Sequence, residues 1–219
     1  MPFRSIEMKR LGGTLNKMTG IFAVILASGQ SVRMGTPKVL LPWKGISIIE
    51  HILSNTVLFP FEGVKVVVPA RNEPLKKIVA AFPCDPIDNH YPELGMGYSL
   101  SLAIRSLPPD AQAVLILLGD QPKLHSDDIQ KICETFLQKL LTNNEKSIIQ
   151  MKYRDGCVGH PILFSSHFFH DLASITGDKG GRDIIRNNRR YLSQCRSENS
   201  HPKDIDTPED YQRLITEVD

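Results

Sequence analysis

Four side chains, far apart in the sequence, are of the types that polyphosphate chemistry requires. Arg33 and Lys38 lie in one glycine-bearing loop, Asp120 follows the apolar run from Ala113 to Leu118, and Asp206 precedes Thr207-Pro208-Glu209-Asp210. An arginine grips phosphate oxygens through two donors, and a lysine adds a compact charge. Magnesium takes one or two carboxylates and fills its remaining positions with substrate phosphates and waters. Each residue also has a plainer use. Asp120 after Gly119 suits a turn, Asp206 suits a partner for a helix N-terminus, and Arg33 and Lys38 suit the surface of a strand-to-helix turn.

The loop reads Leu26-Ala27-Ser28-Gly29-Gln30-Ser31-Val32-Arg33-Met34-Gly35-Thr36-Pro37-Lys38. It has neither the GxGxxG dinucleotide fingerprint nor the GxxxxGK[ST] phosphate loop. Gly29 and Gly35 nevertheless permit positive φ and close backbone approach, which turns N–H groups toward an anion. Ser31 contributes a hydroxyl.

The elements that must position these groups alternate. Ile21 to Ala27, Val64 to Val68 and Ala113 to Leu118 are continuous apolar runs of the kind buried on both faces of a parallel sheet. Between them, Ser47 to Leu58, Glu73 to Phe82 and Gly97 to Leu107 have helical spacing of apolar residues. Ser47 with Glu50 forms a capping box. Ser126 caps a further helix to about Leu141, a short strand follows near Ser147 to Gln150, and Thr207-Pro208 opens a last helix. Strands alternating with helices predict βαβ units. In such sheets ligands bind beyond the carboxyl ends of the strands, which selects the loops after Ala27, Val68 and Leu118.

The chain has 219 residues, which suits one large domain. Its 26 Lys and Arg against 24 Asp and Glu leave a charge of +2, which argues against a nucleic-acid binder. Cys84, Cys133, Cys157 and Cys195 form no CxxC pair, so reduced thiols in a cytoplasmic protein are expected. No apolar run approaches the ~20 residues that span a bilayer. Residues 1–19 carry scattered basic residues without an apolar stretch and read as a flexible extension, with Met18 as an alternative first residue and the domain proper at 20–219. His167 and His170 form an HxxH pair with no third ligand nearby, and Arg186, Arg189 and Arg190 read as a solvated helix face.

The loop from Leu26 to Lys38, continued by Val39-Leu40-Leu41-Pro42, resembles the signature of the MobA-like nucleotidyltransferases, roughly LAxGxSxRMGxxK followed by LLP. Gly119-Asp120-Gln121-Pro122 and Asp204-Ile205-Asp206-Thr207-Pro208-Glu209-Asp210 resemble two motifs of the molybdenum-cofactor cytidylyltransferase (MocA-like) branch, which includes proteins of purine catabolism. Gly95-Met96-Gly97-Tyr98-Ser99-Leu100 resembles its GMGxSL motif, Gly159-His160-Pro161-Ile162-Leu163-Phe164 its GHPVLF segment, and Gly177-Asp178-Lys179-Gly180-Gly181-Arg182 its GDxGxR motif. The motifs keep the family's order from about Ile21 to Tyr211. Two positions depart. Val158 stands where the branch often has Arg. Ser28 stands where cytidylyl enzymes have the second Ala of LAAG and guanylyl enzymes the first Gly of LAGG.

The resemblance implies a single α/β Rossmann-like three-layer domain with a mainly parallel, mixed sheet of nucleotide-diphospho-sugar transferase type. It implies nucleotide contacts from Leu26, Ala27, Ser28, Gly29, Ser31, Arg33, Lys38, Gly95, Met96, Gly97 and Ser99, with Gly95 and Gly97 leaving a helix start open to a flat ring. Arg33, Lys38 and Asp120 take catalytic roles, and Asp120 and Asp206 hold Mg²⁺. Gln121, His160, Asp178 and Arg182 face the acceptor. The expected reaction is CMP transfer from CTP to the terminal phosphate of molybdopterin, by a monomer with a molybdenum hydroxylase as client and no membrane or nucleic-acid partner. Three alternatives stay open: GTP as donor, another phosphate monoester as acceptor, and a non-catalytic chaperone that delivers the cofactor.

Overall fold

The computed structural model describes residues 18–177 and 180–217. A seven-stranded sheet forms the middle layer. Its strands are β1 (Met18–Leu26), β4 (Phe61–Pro69), β5 (Asp85–Asn89), β6 (Ala113–Leu118), β7 (Ile148–Lys152), β8 (Val158–Ser165) and β9 (Leu192–Arg196), in the order β5-β4-β1-β6-β8-β7-β9. Only β8 runs against the others. A two-stranded hairpin, β2 (Pro42–Trp43) and β3 (Ile46–Ser47), stands apart.

β1 is central because every second side chain serves a different core. Ile21, Ala23 and Ile25 pack toward α1 (Ile48–Thr56), α2 (Glu73–Val79) and α4 (Ser126–Leu141). Val24 and Leu26 pack toward α3 (Gly95–Arg105), α5 (Phe169–Ala173) and α6 (Arg182–Asn187). A strand sandwiched this way must be apolar throughout, which is why its sequence does not alternate. The three-layer α/β domain with a mixed sheet is therefore the architecture found. A small third cluster of Ile48, Ile205 and Leu214 seats α7 (Pro208–Thr216) beside the hairpin.

Several boundaries differ from the sequence reading. β1 begins at Met18, which is buried, so the domain includes residues 18 and 19. The extension expected at 1–19 otherwise lies outside the described residues. Ser126, expected as a cap, is the first helical residue of α4, and His125 holds the cap position. β5 was not anticipated: Asp85-Pro86-Ile87-Asp88-Asn89 is poor in strand-forming residues. It is an edge strand, where a proline costs no ladder bond on its open side.

Phe136 on α4 is fully buried in the larger core. Phe136→Ala should cost about 3–5 kcal/mol of unfolding free energy in urea titrations, with little change in the slope of the transition.

Candidate active site

The sheet order reverses at β1: the chain moves outward through β4 and β5, then returns to place β6 on β1's other side. The carboxyl ends of β1 and β6 therefore flank the natural ligand crevice. Their loops touch. The Gly119 N–H donates to the Leu26 carbonyl at 2.9 Å. A Cβ on Gly119 would lie 3.0 Å from that of Ala27, so a larger residue would press the two loops apart by a few tenths of an ångström.

The loop after β1 curls over the crevice. Ser31 takes φ 52 and Gly35 φ 67, and the Met34 N–H donates to the Ser31 carbonyl at 2.9 Å. The Ser31 hydroxyl oxygen accepts the Lys38 N–H at 3.1 Å, which fixes where Lys38 leaves the loop. Arg33 is exposed and pairs with no described residue.

Lys38 Nζ lies 2.5 Å from Asp120 and 2.7 Å from Asp206. Asp120 does lie in the turn after β6, whereas the plainer use of Asp206 is taken by other residues. The cap of α7 is Thr207, whose side chain accepts the Asp210 N–H at 3.2 Å, while Asp210 accepts the N–H groups of Asp206 and Thr207. The Asp206 carboxylate is thus left for Lys38. The Ile205 N–H donates to the Asp120 carbonyl at 3.1 Å, tying the two acid-bearing loops together. Burial works against the Lys38 charge, yet Asp120 and then Asp206 outweigh it and hold its pKa above the ordinary value. Burial raises the Asp120 carboxyl above its usual range, against the pull of Lys38 and with the repulsion of Asp204 and Asp206.

Two clefts meet here. The first, about 440 Å³, is lined by the β1 loop from Leu26 to Arg33, by Lys38, by Gly95, Met96 and Ser99 of α3, and by Asp120 and Asp206. The second, about 330 Å³, brings together Gln121, His160 and Arg182 over an apolar bed that includes Leu100, Ile116, Ile162 and Phe164. Leu26, Met96, Leu118 and Asp204 belong to both.

Gly97 meets a second loop. Its N–H donates to the Gly177 carbonyl at 2.7 Å, and a Cβ there would lie 2.4 Å from that oxygen. The 175–177 loop crosses it there, which by itself calls for glycine. Gly95, at φ 86, does line the first cleft. Asp178 lies outside the described residues. His167 and His170 gather no third ligand; among the described residues no cluster of three or more His, Cys, Asp or Glu is placed to hold a metal.

Three residues in or beside these clefts escaped sequence reasoning: His201, Gln150 and Asn89. His201 stands in the second cleft, edge-on to Tyr153 with ring centroids 5.0 Å apart. Nothing in its neighbourhood in the sequence marked it. Gln150 lies mid-strand on β7. Asp204 accepts from Gln121 Nε2 at 2.7 Å on the wall between the clefts. Asn89 is fully buried beside the first cleft.

The pattern of the loops and the convergence of Lys38, Asp120 and Asp206 agree with what sequence comparison finds. Residues 23–194 match the MobA-like NTP transferase domain. The chain belongs to that family. It is 29% identical over 201 residues to the purine catabolism protein PucB of Bacillus subtilis, covering 87% of this chain and 94% of PucB. It is 27% identical to the nicotine blue oxidoreductase of Paenarthrobacter nicotinovorans, covering 89% and 96% of the two chains. The crystal structure of Rv0371c from Mycobacterium tuberculosis superposes with TM-score 0.78 at 28% identity, over 94% of this chain and all of that one. Rv0371c has also been solved with manganese (TM-score 0.73, 26% identity, 90% of this chain and 99% of that one). A nucleotidyltransferase domain thus occupies most of the chain, and no helix among the described residues is long and apolar enough to cross a membrane.

Burial, the Arg182 charge and His201 press the His160 pKa down to about 4. His160 is therefore neutral at pH 7, and the cleft's fixed positive charge is Arg182. Because the folded value lies below the unfolded one, the unfolded state takes up the proton first as pH falls. The stability tied to neutral His160 is complete above about pH 6.5 and is lost between there and about pH 4. Relative to His160→Gln, the wild type should lose about 1 kcal/mol per pH unit across that window in urea unfolding.

Proposed function

We propose that this protein transfers a cytidylyl group from CTP to the terminal phosphate of a molybdopterin-type cofactor, releasing pyrophosphate. One observation carries the reading: two carboxylates and one lysine converge in the first cleft, which is walled by the glycine-bearing loop and adjoins the second cleft through Leu26, Met96, Leu118 and Asp204. The first cleft takes the nucleotide and the second the acceptor. An acceptor phosphate oxygen forms the new bond to the α-phosphorus, and the bond from the α-phosphorus to the bridging oxygen of the pyrophosphate breaks. The attacking oxygen is already anionic near neutral pH, so the chain need supply no general base. Its task is to position and to neutralise.

Arg33 and Lys38 neutralise the departing pyrophosphate, as the exposed Arg33, which pairs with no described residue, and the flexible Lys38 side chain permit. Asp120 and Asp206 fit a divalent cation, because they already converge within hydrogen-bonding distance of one cationic nitrogen. Magnesium bound there supplies charge neutralisation for the phosphates. In the second cleft, the apolar bed suits a flat heterocycle, Arg182 suits its phosphate, and Gln121, Gln150 and neutral His160 offer hydrogen bonds to ring heteroatoms. The name of the PucB relative places that protein in purine catabolism, a setting that supports a cofactor destined for a molybdenum hydroxylase.

The test is pyrophosphate release from CTP, GTP, UTP and ATP in turn, with Mg²⁺ and metal-loaded molybdopterin. CTP should be the fastest donor, and Asp120→Ala should lower its turnover roughly 100- to 1,000-fold. Turnover that survives Asp120→Ala would overturn the metal assignment. Nucleotide binding with no pyrophosphate released in the presence of acceptor would favour a delivery chaperone.

Lys38 holds the position that the cation needs. In the nucleotide-free protein, Lys38→Met should therefore bind Mn²⁺ about tenfold more tightly than the wild type, read by electron paramagnetic resonance, because no internal charge competes for the carboxylates. With CTP present the same variant should bind nucleotide more weakly.

A further inference from the structure

Asn89 ends β5 and is fully buried, and its amide hydrogen-bonds to no charged side chain among the described residues. Its oxygen accepts the Tyr91 N–H at 2.8 Å. That contact settles which way the amide faces, since the opposite orientation would set its NH₂ against another donor. The NH₂ group must then donate, and it does so to the hydroxyl oxygens of Ser28 at 2.9 Å and Ser99 at 3.1 Å. Both serines are consequently acceptors toward Asn89, and each must direct its own proton elsewhere. Ser99 has the Gly95 carbonyl one helical turn back, at 3.4 Å. The Ser28 proton has no acceptor among the described residues, although Ser28 is only 3% exposed and lines the first cleft.

We infer that Asn89 is a positioning residue which, through this fixed polarity, makes Ser28 a hydrogen-bond donor to an acceptor atom on the edge of the bound nucleobase, a ring carbonyl or ring nitrogen. This rests on the nucleotide reading of the cleft and adds the sense of the hydrogen bond by which the base is held. A buried donor without a partner is costly, and a ligand acceptor removes that cost. The phosphates are served by other groups: Arg33 and Lys38 lie further along the same loop, beyond the Ser31 turn. Ser28 sits at the loop's start, against α3.

Asn89→Asp is the telling change, because it keeps the shape and reverses the polarity. A carboxylate accepts only, so the serine hydroxyls turn toward it and the donor in the cleft is lost. Calorimetric titration of wild type, Ser28→Ala, Asn89→Asp and the double variant with CTP, GTP and inorganic tripolyphosphate, each with Mg²⁺, makes the test. Each single variant should weaken the preferred nucleotide by about tenfold or more. Tripolyphosphate should stay within about twofold, and the double variant should be no worse than the weaker single one. Nucleotide affinity unchanged in Ser28→Ala overturns the inference. So does an equal loss for tripolyphosphate, which would put Ser28 on the phosphates, and so does simple additivity, which would mean that Asn89 acts through another route. Ser28→Ala keeps the test open should Asn89→Asp fail to fold. A wild type that takes tripolyphosphate but no nucleotide overturns the nucleotide reading and the inference together, whereas nucleotide binding that Ser28→Ala leaves intact overturns the inference alone.

Discussion

A single ammonium group holds the crevice together. Lys38 comes from the loop after β1, Asp120 from the loop after β6 and Asp206 from the turn before α7, and they meet within 2.7 Å. Two carboxylates so close repel one another unless a cation lies between them. Everything nearby serves that meeting. Ser31 fixes the exit of Lys38, Gly119 lets two loops touch, and the Thr207–Asp210 cap takes over the helix end so that Asp206 need not. As stabilisation, a half-buried ion pair of this kind returns little, because removing three charges from water costs about what their attraction yields. It makes physical sense as a site that gives up its lysine for a ligand.

The fold was largely legible because burial on both faces of β1, β4 and β6 demands uninterrupted apolar runs, and uninterrupted runs are visible. What was not legible was polar or at an edge. Asp85-Pro86-Ile87-Asp88-Asn89 becomes a strand through its ladder with β4, a long-range pairing that local composition does not report. At the start of β8, Val158 is exposed and residues 159 and 160 are only partly buried, and the strand's direction reverses, so its pattern is mixed.

The candidate site divides in the same way. Lys38, Asp120 and Asp206 could be picked out because each sits where a strand or helix ends, and element ends can be found from sequence. The packing demand on Gly97 was not legible, since a glycine that opens a helix start and a glycine crossed by another loop look alike until the 175–177 segment is in place. His201 and Asn89 were missed because their importance lies wholly in tertiary neighbours, Tyr153 and Gly159 for one, Ser28 and Ser99 for the other.

The net charge of +2 carried little information for a related reason: the charges that matter cancel locally. That cancellation has a consequence for binding order. Lys38 can neutralise the two carboxylates or a polyphosphate, not both at once. On the proposed reading, a divalent cation entering between Asp120 and Asp206 would free the lysine for phosphate, and a phosphate that drew the lysine away would leave the carboxylates ready for a cation. Each ligand removes the other's competitor, so nucleotide and metal should bind with positive, reciprocal coupling. The coupling needs no movement of the sheet. It requires only that one flexible side chain have two partners of opposite kind within its reach, an arrangement set by the adjacency of β1 and β6.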